Sequence, residues 1–190
     1  MLREPSGRGR YLSGEEEQAL VAKLLTDEGR DRLRVLLQTG LRTSEFLGLR
    51  WKDVDLKAGV LTIPRSKHGE SRHVPLTSDV RAIISRRPRS LDAAALIFSN
   101  SLGNTDLHWA EKDFPEAVAE AEMQDFRLHG TRHTSASRLA KEGVDLLTIK
   151  ELGGWKTLSM VQRYAHIPPG ASAPGDRTAG HAGGLRPPTC

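Results

Sequence analysis

The stretch GGWKTLSMVQRYAH, Gly153 to His166, holds Tyr164, one of only two tyrosines in 190 residues, the other being Tyr11. A reaction that needs a phenolic nucleophile has very few places to put one. Upstream, LHGTRHTSAS sets His129 and Arg132 three apart. On a helix that spacing brings an imidazole and a guanidinium to one face, where both can approach one phosphate. His129 and His133 also have the four-residue spacing of zinc ligands. Position 130, however, is glycine rather than the glutamate a zinc hydrolase uses as general base, and Arg132 would repel the metal. Arg42 in TGLRTSE, Lys67 in RSKHGE and Trp155 complete the groups able to bind an anion, move a proton or donate a hydrogen bond. A single arginine in a basic protein is most often a surface charge; the joint pattern carries the reading.

These residues need elements to position them. Ser13 and Glu16 have capping-box spacing ahead of QALVAKLL and predict a first helix of about twelve residues. DRLRVLLQTG predicts a second, with Gly40 where a left-handed helix end is wanted. TSEFLGLRWKDVDL restarts the helix, with Thr43 or Ser44 as N-cap and Glu45 near its positive end. GVLTIP and SRHVPL, carrying β-branched residues, flank RSKHGE, whose Gly69 suits a turn, so a hairpin is predicted with Lys67 on its first arm near the tip. Beyond it TSDVRAIISRR, HWAEKDFPEAVAEAEM, LHGTRHTSASRLAKEG, DLLTIKELGG and TLSMVQRYAH read as helices, with a short apolar LIFSN after the first of them. Trp51 and LLTIKEL read as core, His166 as packing or surface. The expected fold class is α+β, mainly α-helical, with a small antiparallel sheet or hairpin. One domain is expected over 13–166, a flexible N-terminus over 1–12 and a Pro/Gly-rich disordered tail over 167–190, where five prolines and five glycines leave little to bury.

Composition narrows the partner. Lys and Arg number 28 against 24 Asp and Glu, giving a formal charge of +4, which favours a polyanion without deciding it. The single cysteine, Cys190, excludes an internal disulfide and a cysteine-rich metal site. No apolar run approaches the roughly 20 residues of a membrane span, and MLREPSGRGR lacks the apolar core of a signal peptide. A cytoplasmic, nucleoid-associated location is expected.

Four segments in register, TGLRTSEFLGLRWKDVDL, SKHGESRHVPL, HGTRHTSASRLAKEG and LGGWKTLSMVQRYAH, closely resemble the catalytic domain of tyrosine recombinases, the phage-integrase family. The resemblance covers Ser13 to His166 and implies that family's DNA breaking-rejoining fold. It also implies roles. Arg42 and Arg132 would hold the scissile phosphate, for which permanently charged guanidinium forks are suited. Tyr164 would attack phosphorus and leave a 3′-phosphotyrosyl bond, with His129 as base. Lys67 would protonate the leaving 5′-oxygen. Trp155 stands where many relatives carry histidine and can donate a hydrogen bond or buttress the site, but cannot pass a proton. Glu45 would orient Arg42, with helix capping an equal alternative, and His133 would be a supporting imidazole. No metal, nucleotide or other cofactor is implied. Double-stranded DNA is the implied partner, with a homotetramer on DNA where the family's N-terminal domain is present.

Two departures stand out. Gly130 and Thr131 occupy positions where relatives often carry an acidic residue and leucine, and a glycine there loosens the first helical turn by up to about 1 kcal/mol. Only some twelve residues precede the first helix, so the chain is expected to be a catalytic half, with DNA affinity supplied elsewhere and tetramer assembly weakened by the tail. Two further readings are a non-catalytic DNA-binding remnant of an integrase and a type IB topoisomerase-like enzyme.

Overall fold

The computed structural model describes residues 10–64 and 71–167. Lys67, the hairpin tip and nearly all of the predicted tail fall outside them.

Helix formation follows local signals. Ser13 accepts the Glu16 N–H and Glu16 answers to the Ser13 N–H, a closed capping box that starts α1 (Gly14–Lys23). Thr26 caps α2 (Asp27–Thr39), which ends on Gly40 at φ 62°. A Cβ on Gly40 would also fall 3.0 Å from Ser135 Oγ, so glycine serves both the left-handed turn and a close approach to a neighbouring helix. The restart after Gly40 is shorter than predicted: α3 spans only Thr43–Leu47, and its N-cap is Arg42 rather than Thr43 or Ser44. Strands β1 (Val54–Asp55), β2 (Val60–Ile63) and β3 (Arg72–Pro75) form an antiparallel sheet in that order, with Leu61 opposite Val74 and Ile63 opposite Arg72. The predicted hairpin is β2–β3, and β1 adds the third strand.

Thr77 caps α4 (Ser78–Arg86). The predicted HWAEKDFPEAV helix is broken in kind: Trp109–Asp113 is a π turn, closed by Phe114 N–H donating to the Trp109 carbonyl, before α5 (Phe114–Glu120). Two long-predicted elements follow as α6 (Leu128–Lys141) and α7 (Leu146–Gly153). The segment after α7 is not the amphipathic helix that TLSMVQRYAH predicts. It forms two 3₁₀ turns, Leu158–Met160 and Gln162–Tyr164.

The main core gathers α2, α4, α5 and the sheet around Leu33, Leu36, Phe46, Phe98 and Phe114, with Trp51 buried as expected. A smaller core, Ala136, Ala140, Ile149, Val161 and Tyr164, joins α6, α7 and the last 3₁₀ turn. Of LLTIKEL only Ile149 is fully buried, and Leu147 is exposed. Ahead of α1, Leu12 is buried and its N–H donates to Thr134 Oγ1 on α6 at 2.9 Å. Among the described residues no helix is long and apolar enough to cross a membrane.

Candidate active site

The site forms where α2 ends, α3 begins, and α6, α7 and β3 converge. Arg132 enters from the second turn of α6. Its side chain is buried, Nη1 donates to the Gly40 carbonyl at 3.0 Å, and the guanidinium carbon lies 3.9 Å from the centroid of the Trp155 ring. Among the described residues no carboxylate pairs with it. Burial, with Arg42 and Arg72 nearby, pushes its pKa down, yet a guanidinium stays charged at neutral pH. The result is a buried cation stacked on an indole and lacking an anion.

Arg42, at the N-cap of α3, is half-exposed and faces the same space. Nη1 donates to Glu45 Oε1 and Nη2 to the Gly154 carbonyl, each at 2.6 Å. Glu45 also accepts the Arg42 backbone N–H at 2.9 Å, so the capping and orienting readings of Glu45 are both realised in one side chain. Arg72 on β3 closes the far side of that carboxylate, donating from Nη1 and Nη2 at 3.0 and 2.7 Å and from Nε to the Leu152 carbonyl at 2.8 Å. Burial alone would push Glu45 up, but the hydrogen bonds from Arg72 and Arg42 outweigh it and hold the carboxyl at about 2.

Tyr164 is buried with only its hydroxyl engaged, 2.5 Å from His133 Nδ1. Burial pushes the phenol up to about 12 against the pull of the Arg163 and Arg132 guanidiniums. Burial, then repulsion of its protonated form by His129, Arg163 and Arg132, pushes His133 down to about 4, so it is neutral at pH 7. His129, one turn earlier and more exposed, meets His133 edge-on at 5.0 Å between ring centroids, and burial, Arg132 and Arg42 lower its pKa. The imidazole against the phenol is therefore His133 and not His129, because the 3₁₀ turn delivers Tyr164 one helical turn further along α6. Trp155, 6.2 Å from the Tyr164 ring, serves as the plate beneath Arg132. Of the residues singled out by sequence, Arg42, Glu45, His129, Arg132, His133, Trp155 and Tyr164 come together. Lys67 lies outside the described residues, and His166 is exposed.

Sequence reasoning passed over Arg72. A signal existed: Arg72 and Val74 alternate onto the inner face of β3, and an arginine on the buried face of a strand needs a partner.

A paired-guanidinium anion seat beside a buried phenol and a neutral imidazole is the equipment of a phosphoryl-transfer site. The chain belongs to the phage integrase family, which it matches over residues 10–169. It is 30% identical over 164 residues to the integrase of Salmonella phage P22, covering 78% of this chain and 42% of that protein. It is likewise 30% identical over 174 residues to the tyrosine recombinase XerA of Pyrococcus furiosus, covering 86% of this chain and 59% of that protein. The catalytic domain of bacteriophage HP1 integrase shares the fold at a TM-score of 0.66 and 27% identity, over 84% of this chain and 88% of that one. The chain spans about half the length of the two curated relatives.

Proposed function

We propose that this chain carries the strand-cleaving site of a site-specific DNA recombinase acting through a 3′-phosphotyrosyl intermediate. The observation that carries this reading is the buried Arg132 guanidinium, stacked on Trp155 beside Arg42 and paired with no carboxylate among the described residues. A buried charge without its counter-ion is costly unless an anion arrives to complete it, and a phosphodiester fits two guanidinium forks. Tyr164 Oη then forms the bond to phosphorus as the P–O5′ bond breaks, and the phenol proton passes to His133 Nδ1 in the tautomer whose ring proton is on Nε2. The leaving 5′-oxygen takes its proton from Lys67, by resemblance to the family. His129 lies beside Arg132 to donate to the same phosphate.

Burial raises the phenol and lowers the imidazole, so both shifts disfavour moving the proton before attack. The phenol proton therefore leaves as the P–O bond forms rather than ahead of it in this reading, with charge passing onto a phosphoryl group held by Arg42 and Arg132. The phosphotyrosyl bond conserves the energy of the original diester, so a second 5′-hydroxyl can reverse the attack and reseal a strand. Double-stranded DNA is the substrate.

The test is covalent capture. The chain is incubated with nicked suicide duplexes bearing candidate crossover sequences, and denaturant-resistant adducts are counted for wild type and Tyr164→Phe. An adduct on wild type lost in the variant supports the reading. An adduct that persists in Tyr164→Phe removes Tyr164 as nucleophile, and no adduct on any duplex returns the chain to a DNA-binding remnant.

A further inference from the structure

Arg72 has no part in the chemistry just described, yet it is the most fully engaged cation of the site. Its side chain is only 11% exposed, and its three hydrogen bonds tie β3 to the N-terminus of α3 through Glu45 and to the C-terminus of α7 through Leu152. The space it occupies is reserved: a Cβ on Gly154 would fall 2.9 Å from Arg72 Nη1 and 3.1 Å from its Cδ and Cζ. Gly154 itself has φ 67°, so the turn that ends α7 both requires glycine and leaves a channel for this guanidinium.

Charge explains why it matters. Among the described residues three guanidiniums, Arg42, Arg72 and Arg132, face one carboxylate, Glu45. The Arg72 guanidinium engages both Glu45 oxygens, whereas the Arg42 guanidinium engages only one, the other taking the Arg42 backbone N–H. A bidentate fork fixes a carboxylate in plane and takes most of its charge. Deprived of that fork, an ionised Glu45 is left with Arg42 and Arg132, the two groups that a phosphate must occupy.

We propose that Arg72 is a positioning residue that holds the larger share of the Glu45 carboxylate, so that Arg132 and the N–H groups of Arg42 not taken by Glu45 and Gly154 remain available to a phosphate. The proposal rests on the reading of this site as a phosphate clamp. It makes Arg72 act through the charge of Glu45 rather than through the fold, and this separates the two in a double-mutant cycle. Arg72→Met removes one positive charge; adding Glu45→Gln restores the balance while a glutamine at the third helical position still accepts the Arg42 N–H of the capping box. Arg72→Lys keeps the charge and loses the fork.

Two readouts are taken on the full chain: the single-turnover rate of adduct formation on a suicide duplex, and the rise in Tm given by low-millimolar sodium sulfate, too dilute for sulfate's general stabilising effect, over sodium chloride at equal ionic strength. Arg72→Met is expected to slow adduct formation about 100-fold, the scale of a misplaced binding group, and to abolish the sulfate-specific rise. The double variant recovers at least about tenfold of that rate and regains the sulfate rise, and Arg72→Lys stays within about tenfold of wild type. A double variant no better than Arg72→Met in either readout overturns the proposal and leaves Arg72 a brace. Should Arg72→Met fail to fold, Arg72→Gln with and without Glu45→Gln makes the same comparison. If wild type forms no adduct but the sulfate pattern holds, recombinase function fails and the sequestration stands. If wild type cleaves and neither readout is rescued, the sequestration fails alone.

Discussion

Gly153→Ala tests whether Trp155 must lie where it does. Alanine is the better helix former by up to about 1 kcal/mol, and Gly153 is the last residue of α7, so propensity alone predicts a small gain in stability. The structure predicts the reverse. A Cβ at 153 would lie 1.8, 2.3 and 2.7 Å from Cζ3, Cε3 and Cη2 of Trp155, whereas carbons pack at about 3.5–4.0 Å. The indole must move by about 2 Å, because the backbone beneath it is pinned by Trp155 N–H donating to the Lys150 carbonyl and Gly154 N–H to the Glu151 carbonyl. Overpacking of this kind costs about 1–3 kcal/mol, so after the propensity gain the net loss of stability is about 1 kcal/mol.

Activity should fall much further. The displaced ring no longer lies 3.9 Å under Arg132, a contact worth about 0.5–2 kcal/mol at a site of this burial, and the guanidinium loses the plate that sets its plane. A shift of about 1 Å in a binding group costs about 100-fold in rate. The assay pairs urea denaturation with single-turnover cleavage of a suicide duplex. A Gly153→Ala protein that is as stable as wild type and cleaves at the wild-type rate refutes the claim that the Trp155 plate positions Arg132.

His133→Gln should flatten one part of the acid response. The native imidazole is held at about 4 against an ordinary 6.5, so the unfolded chain takes up the proton first; stability is full above pH about 6.5 and falls as pH drops toward 4. Denaturation midpoints between those values should lose their slope in the variant, while the decline from about 4.5 to about 2 owed to Glu45 persists; an unchanged upper slope refutes the assignment. Gly130→Ala should destabilise by about 1–2 kcal/mol despite its better propensity, because the new Cβ would fall 2.5 and 2.9 Å from Cε2 and Cδ2 of the buried Phe126 ring, and a gain in urea midpoint would refute this.

The last of these corrects a judgement made on sequence alone. Gly130 looks like a loosened helical turn because its partner, Phe126, is visible only once the chain before α6 folds back on it. Signals that are local in sequence were legible: the Ser13–Glu16 box, the left-handed Gly40 and the β2–β3 hairpin. The motifs also named most of the side chains that come together here, Arg72 excepted and Lys67 lying outside the described residues. The internal geometry of the site was not legible. TLSMVQRYAH has apolar residues enough for a helix, but Leu158 and Met160 face solvent and only Val161 and Tyr164 are buried. Two buried residues three apart suit a 3₁₀ turn, where i and i+3 eclipse, better than a longer α-helical stripe. That change of pitch is what sets the phenol against His133 rather than His129. The strand alternation marks Arg72 as needing a partner, but which partners was hidden for a related reason: Glu45 and Leu152 lie 27 residues before it and 80 after.

The site solves a charge problem in a way that follows from its placement at helix ends. Three guanidiniums converge, and burying them calls for compensation; three carboxylates would supply it and leave nothing for a phosphate. Here most of the acceptors are carbonyls: Gly40 at the end of α2 takes Arg132, while Leu152 and Gly154 at the end of α7 take Arg72 and Arg42. The C-terminus of a helix carries roughly half a negative charge, spread over such unsatisfied carbonyls. These partial charges orient a guanidinium and satisfy its N–H groups without cancelling its charge. Among the described residues a single full carboxylate, Glu45, remains, and Arg72 holds both of its oxygens. The positive potential left at Arg42 and Arg132 is thus a product of which elements end there, and it is available to an incoming phosphodiester because no side chain among the described residues has neutralised Arg132.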